Sequence, residues 1–224
     1  MKVKTRFGII VTTLLLGSTA YLNGCATMGM GKGEAAKTTT KVQAAETGLK
    51  QTLAQVDATQ ASLDSLIEPG QADVKNKFDA YSADVEKMDK MAKQLEKDQS
   101  KMQEQQREYL AEWEKKERTY TDPSLREASG QRRAALNSAY SEVPKASTQF
   151  QDALNGYLSQ IKQIQTQLSL DLTNKGIESI TPAAQKALSD GGRLKDTAEP
   201  VITAMERVMS EMAREGSGAA AGGQ

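Results

Sequence analysis

The sequence predicts an all-α protein: an elongated antiparallel helical bundle, packed like a coiled coil around a long central helical hairpin. Three observations predict it. Apolar residues recur in alternating steps of three and four across residues 39–214, the 3.5-residue period of helices that need a partner along their length. Aromatics are only 4% of the chain, while Ala, Gln, Glu, Lys, Leu and Ser dominate, as in long helices. Proline- and glycine-bearing breaks are few, and they cut the periodic region into four segments.

The first helix is expected over residues 39–67. Val42, Ala45, Leu49, Val56, Leu63 and Leu66 form its seam, with Thr52 and Thr59 at weaker positions. Glu68-Pro69-Gly70 ends it, since proline breaks the ladder and glycine permits the turn. The second is expected over 73–120. Its seam runs Val74, Phe78, Tyr81, Val85, Met88, Ala92, Leu95, Gln99, Met102, Gln106, Tyr109, Trp113 and Tyr120. Gln99 and Gln106 are polar members, read as a loosely packed layer or as register-setting groups. Thr121-Asp122-Pro123 stops this helix.

The third helix, 124–175, repeats the spacing through Leu136, Tyr140, Val143, Ser147, Phe150, Leu154, Tyr157, Ile161, Ile164, Leu168 and Leu172. Pro144 inside it predicts a kink. Asn174-Lys175-Gly176 reads as a helix stop with glycine past the end. The fourth, 182–214, opens at Thr181-Pro182 as N-cap and first helical residue. Its apolar face is Ala187, Leu194, Ala198, Val201, Met205, Val208 and Met212, and Gly191-Gly192 and Pro200 predict a bend or break.

At 1.5 Å per residue these helices measure about 40, 70, 75 and 50 Å. Short connections make neighbours antiparallel. The second and third then form a hairpin whose tip, around Trp113 to Arg133, projects ~20–30 Å beyond the shorter first and fourth.

Ahead of the bundle, Lys2, Lys4 and Arg6 precede an apolar run, Phe7 to Leu22, and then Asn23-Gly24-Cys25. A basic start, an apolar stretch and a small residue before a cut describe an export signal. The run is short for a spanning helix, which needs about 20 apolar residues. Cys25, the only cysteine, directly after the cut makes it a lipoprotein signal. An ordinary secretory signal with an accidental cysteine is the alternative. The expected organisation is a signal peptide at 1–24, a Gly-rich tether at 25–38 starting with lipidated Cys25, the bundle at 39–214 and a disordered tail at 215–224. Two or more acyl chains give stable membrane anchoring. By sorting convention Ala26 favours the outer membrane, so the expected location is the periplasmic face of that membrane.

Composition excludes several function classes. The 29 basic and 29 acidic residues become 26 and 29 once Lys2, Lys4 and Arg6 leave with the signal. A mild net −3 cannot steer nucleic acid, and no basic stripe compensates. Histidine is absent, which removes the commonest general base and metal ligand. With Cys25 acylated no thiolate remains. We therefore expect no enzyme activity, no cofactor and no metal site. A carboxylate-pair hydrolase stays formally open, although few aromatics are available to wall a sugar cleft.

The candidate contact residues cluster at the tip. Trp113, the only tryptophan, is read as a core anchor capping the hairpin, as an interface residue or as a membrane-interface ring. Tyr120 accompanies it. Arg126, Arg132 and Arg133 are read as a solvated, ion-paired face or as an anion site for headgroup, phosphate or carboxylate. The Met-rich stretches 87–91 and 205–212 read as adaptable core filler, with copper binding through thioethers as the alternative, and Asp171 with Asn174 reads as capping or surface.

Tyr109-Leu110-Ala111-Glu112-Trp113, Leu125-Arg126-Glu127-Ala128-Ser129 with Arg132-Arg133, and Leu170-Asp171-Leu172-Thr173-Asn174-Lys175-Gly176-Ile177 resemble a family of bacterial envelope proteins known as domain of unknown function 2959. The likeness covers roughly residues 40–212. It implies an exported helical protein and carries no activity or catalytic residue. The functional expectation is a non-enzymatic, lipid-anchored periplasmic scaffold or adaptor. It would use the hairpin to dock an envelope protein or a second copy of itself. Membrane remodelling or envelope contact by the helices is the alternative.

Overall fold

The computed structural model of the chain describes residues 31–70 and 73–217. It contains four helices: α1, Gly31–Ile67; α2, Val74–Glu117; α3, Pro123–Leu170; and α4, Asn174–Ser217. Among the described residues there is no strand. The chain runs up and down, and each helix packs on two neighbours: α1 on α2 and α4, α3 on α4 and α2. The diagonal pairs do not meet, and α2 packs less closely on α3 than the other neighbouring pairs do. This is a four-helix bundle, the arrangement that short connections favour.

The 3.5-residue seams form its core. In α1, Val42, Ala45, Leu49, Val56, Leu63 and Leu66 are fully buried, as are Thr52 and Thr59 between them. In α3 all positions of the seam from Leu136 to Leu168 are buried. The α4 face from Ala187 to Met212 is buried too. In α2 the seam is buried at Tyr81, Val85, Met88, Leu95, Gln99, Met102 and Tyr109. Ala92, Gln106 and Trp113 are half-covered. The hydrophobic effect therefore acts along nearly the whole rod rather than at one centre. No helix among the described residues is long and apolar enough to cross a membrane.

Helix ends follow local chemistry. Gly70, at φ 74°, takes the left-handed turn after α1, where only glycine is unstrained. Lys115 and Lys116 occupy the last turn of α2, favourably placed against its dipole. The Asp122 side chain accepts from the Ser124 backbone N–H at 2.8 Å and caps α3, with Pro123 beside it, so proline's missing donor costs nothing.

Five expectations are corrected. Residues 31–38, read as tether, are helical. Ala35, Ala36 and Lys37 are strong helix formers, and Thr38 is buried against the bundle. Next, α3 stops at Leu170 and α4 starts at Asn174, so Thr181-Pro182 is not a helix start. Asp171 Oδ1 accepts from the Thr173 N–H at 3.1 Å and the Thr173 hydroxyl at 2.7 Å. Thr173 Oγ1 in turn accepts from the Gly176 N–H at 3.2 Å, which makes Thr173 the N-cap of α4. Gly176 lies in the first turn of α4 because a Cβ there would come within 2.1 Å of the Asp171 carbonyl oxygen.

Gly191-Gly192 does not break α4. Gly191 is buried, and a Cβ on it would meet the Gln60 amide at 2.8 Å and the Tyr157 ring at 3.0 Å. Its role is close approach of α4 to α1 and α3. Pro200 does not break α4 either; like Pro144 and Pro182 it sits on an exposed position inside a helix that runs on past it. On a solvent face, water satisfies the carbonyl that an internal proline leaves unpaired. Finally, α4 does not fall short of the tip. Glu211 lies level with Arg132 and α4 runs on to Ser217. Only α1 is short. Glu34 is level with Gln105, so the α2 end stands about 15 Å past Gly31.

Candidate functional site

The tip is built by the last two turns of α2, the turn at residues 118–122 and the first turns of α3. Trp113 joins its two strands of helix. The indole Nε1–H donates to Ser129 Oγ at 2.8 Å, and its ring meets Tyr109 edge-on with centroids 5.7 Å apart. The ring also packs against the core. Of the three readings open for Trp113, this geometry is that of an anchor tying α2 to α3.

The three arginines do not converge. Arg132 reaches across to α4, where Nη1 donates to Glu211 Oε2 at 2.7 Å and Nη2 to the Glu211 carbonyl. Arg133 turns back to α2, with Nε 3.0 Å from Glu117 Oε2 and Nη1 3.7 Å from Glu114 Oε2. Arg126 Nη2 donates to the Tyr120 carbonyl at 2.5 Å. Each guanidinium is thus engaged within the chain, on a different element. The hydrogen bond from Arg132 holds the Glu211 carboxyl below the ordinary carboxylate range. Arg118 does the same for Glu114, with Arg133 adding to it.

Two large apolar side chains stand open at the tip, among exposed polar and charged ones. Tyr120 is 38% exposed and Leu125 is 59% exposed. Leu125 lies off the seam, so the heptad pattern gave no reason to single it out. Leu170, the third exposed large apolar residue among the described residues, is 79% exposed at the opposite end of the rod. Cys25 lies outside the described residues.

Elsewhere the surface offers grooves between helices. One of about 470 Å³ lies along α2/α3 and is lined by Ala92, Leu95, Gln99, Phe150, Leu154 and Asn155, among others. Asp89 bridges its end, accepting from Lys93 at 2.7 Å and from Lys162. Those two hydrogen bonds, the one from Lys162 foremost, hold its carboxyl below the ordinary range. Gln99 Oε1 accepts from Gln151 Nε2 at 2.7 Å, while its own Nε2 is buried without a partner. Among the described residues no group of acids is placed to hold a metal ion. Met88 and Met205 are fully buried in the core, and Met212 Sδ accepts from the Tyr140 hydroxyl at 3.4 Å.

A rod of four long antiparallel helices, closed by internal ion pairs, defines the class of protein. Within that class the chain belongs to the family described as a protein of unknown function, DUF2959, which it matches over residues 21–212. No curated protein and no solved structure matches it.

Proposed function

We propose that this protein is a non-enzymatic scaffold or adaptor of the bacterial envelope. It is anchored by acylated Cys25 to the outer membrane on its periplasmic face and docks an envelope protein or a second copy on the rod. The observation that carries this reading is the continuous seam core along helices of 37 to 48 residues. A bundle packed this way is stiff and sets a distance of ~55–70 Å from end to end. Arg132 and Arg133 are paired with Glu211 and with Glu117 and Glu114, which gives those two a structural role. Docking falls to the exposed flanks, with the α2/α3 groove, partly enclosed between the two helices, as the candidate seat.

Two measurements test this reading. Radiolabelled palmitate incorporation, lost in Cys25→Ser, checks the anchor. Photocrosslinking in cells from Asn155, on the groove rim, gives a discrete protein band if the rod is an adaptor. Absence of any protein adduct there, and along the neighbouring flank, overturns the adaptor reading.

A second reading, envelope contact by the helices, has a specific observation in its favour: exposed Tyr120 and Leu125 lie at the same end of the rod as the start of α1.

A further inference from the structure

We infer that the hairpin tip is a second foot, which rests on the same lipid surface that holds Cys25. This inference rests on the anchoring proposed above. Its starting point is where α1 begins. Helix from Gly31 onward leaves only a short link to Cys25, at most about 20 Å even fully extended. Glu34 lies beside Gln105, so this link enters at the tip end of the rod. From the level of Gly31, α2 runs about 15 Å further toward the tip. The anchored lipid and the tip therefore stay within a few ångströms of the same level even with the link stretched along the rod. Any slack brings the membrane up to the tip. An inverted rod is excluded, because a link of ~20 Å cannot carry the tip away from the membrane past a bundle that is ~55 Å long.

The tip has the chemistry for such a contact. Tyr120 and Leu125 are exposed, and exposed Arg126, tied by Nη2 to the Tyr120 carbonyl, stands beside them. A phenol ring and an aliphatic side chain with a guanidinium alongside suit the headgroup zone, where aromatic rings sit at the boundary and basic side chains meet lipid phosphate. The occupant is thus a phospholipid surface. Insertion is shallow, since the tip carries no long apolar span. The lipid and the tip together act as two points of support, which hold the rod off the membrane and fix its tilt.

The test uses the acylated full-length chain, whose single native thiol is blocked by the acyl group. Leu125→Cys and Leu170→Cys each receive an environment-sensitive fluorophore. Both positions are exposed, so both variants retain the core. The proteins are reconstituted in vesicles of phosphatidylethanolamine and phosphatidylglycerol that carry a quencher at headgroup depth. Acylation of each preparation is verified by intact mass. The expected result is several-fold stronger quenching at position 125 than at position 170. Equal quenching at both positions, or none at either, with acylation confirmed, overturns the tip contact and leaves the anchor standing. A mass without acyl groups overturns the anchor itself and the inference with it.

Discussion

At the scale of single residues, identical amino acids carry opposite roles. Gly191 is enclosed by Gln60 and Tyr157, whereas a Cβ on Gly192 would meet nothing within 4 Å. Glycine costs about 1 kcal/mol in a helix interior relative to alanine. Gly192→Ala should therefore raise stability by roughly 0.5–1 kcal/mol. Gly191→Ala should lower it by roughly 1–2 kcal/mol, the cost of overpacking less the helix-propensity gain. Urea unfolding of the two variants measures both, and equal shifts would refute the close-approach role. Gln99 gives a second case. Its amide nitrogen is buried and unpaired, and such a group costs about 1–3 kcal/mol. Gln99→Met should raise the urea midpoint, because Gln151 is exposed and finds water instead. A lowered midpoint would mean that the Gln99–Gln151 bond outweighs the orphaned donor.

At the scale of elements, the tip is held by few contacts. Trp113 supplies an indole bond to Ser129 and the ring contact with Tyr109. Trp113→Ala should fray the end of α2 and the start of α3 while the seam beyond Leu136 stays closed. Native-state hydrogen exchange would show lost protection confined to about residues 110–130, with the α1 amides unchanged. Loss throughout the bundle would refute local anchoring. The turn from α3 to α4 shows the limits of reading caps from sequence. Asp-Leu-Thr-Asn-Lys-Gly contains both a plausible helix stop and a plausible helix start. The choice falls to the start because Thr173 caps Gly176 and because only glycine fits against the Asp171 carbonyl.

At the scale of the whole molecule, pH dependence follows from composition and pairing together. The carboxyls of Asp89, Asp190 and Glu211 are held below the ordinary range, in each case chiefly by a hydrogen bond from a basic side chain. A depressed folded pKa contributes stability above the unfolded value, near 4, and loses it as pH falls through the folded value. Burial pushes the Tyr81 and Tyr157 hydroxyls well above the phenol range. A raised folded pKa contributes stability below the unfolded value, near 10, and loses it as pH rises toward the folded one. No histidine titrates between. Thermal unfolding should therefore be nearly flat from about pH 5 to 9, falling below ~4 and above ~10. A midpoint that moves by several degrees between pH 6 and 8 would contradict it.

Sequence and tertiary structure divide the account by range. Periodicity determined the helical class and the core, and with the proline and glycine breaks the number of segments: every α1 and α3 seam position from Val42 to Leu66 and from Leu136 to Leu168 is buried. A 3.5-residue repeat is a local property of the chain, and burying it requires only that partners exist. Which glycine breaks a helix and which lets two helices touch was not legible, because that depends on Gln60 and Tyr157, far away in the chain. The pairing of Arg132 with Glu211 on another helix was equally hidden, as was the exposure of Leu125, which no seam predicts. The relation between the link to Cys25 and the tip also belongs to the fold. It follows from α1 starting at Gly31 and from the level at which α1 meets α2, and register between helices is set by packing across the whole seam rather than by any one segment.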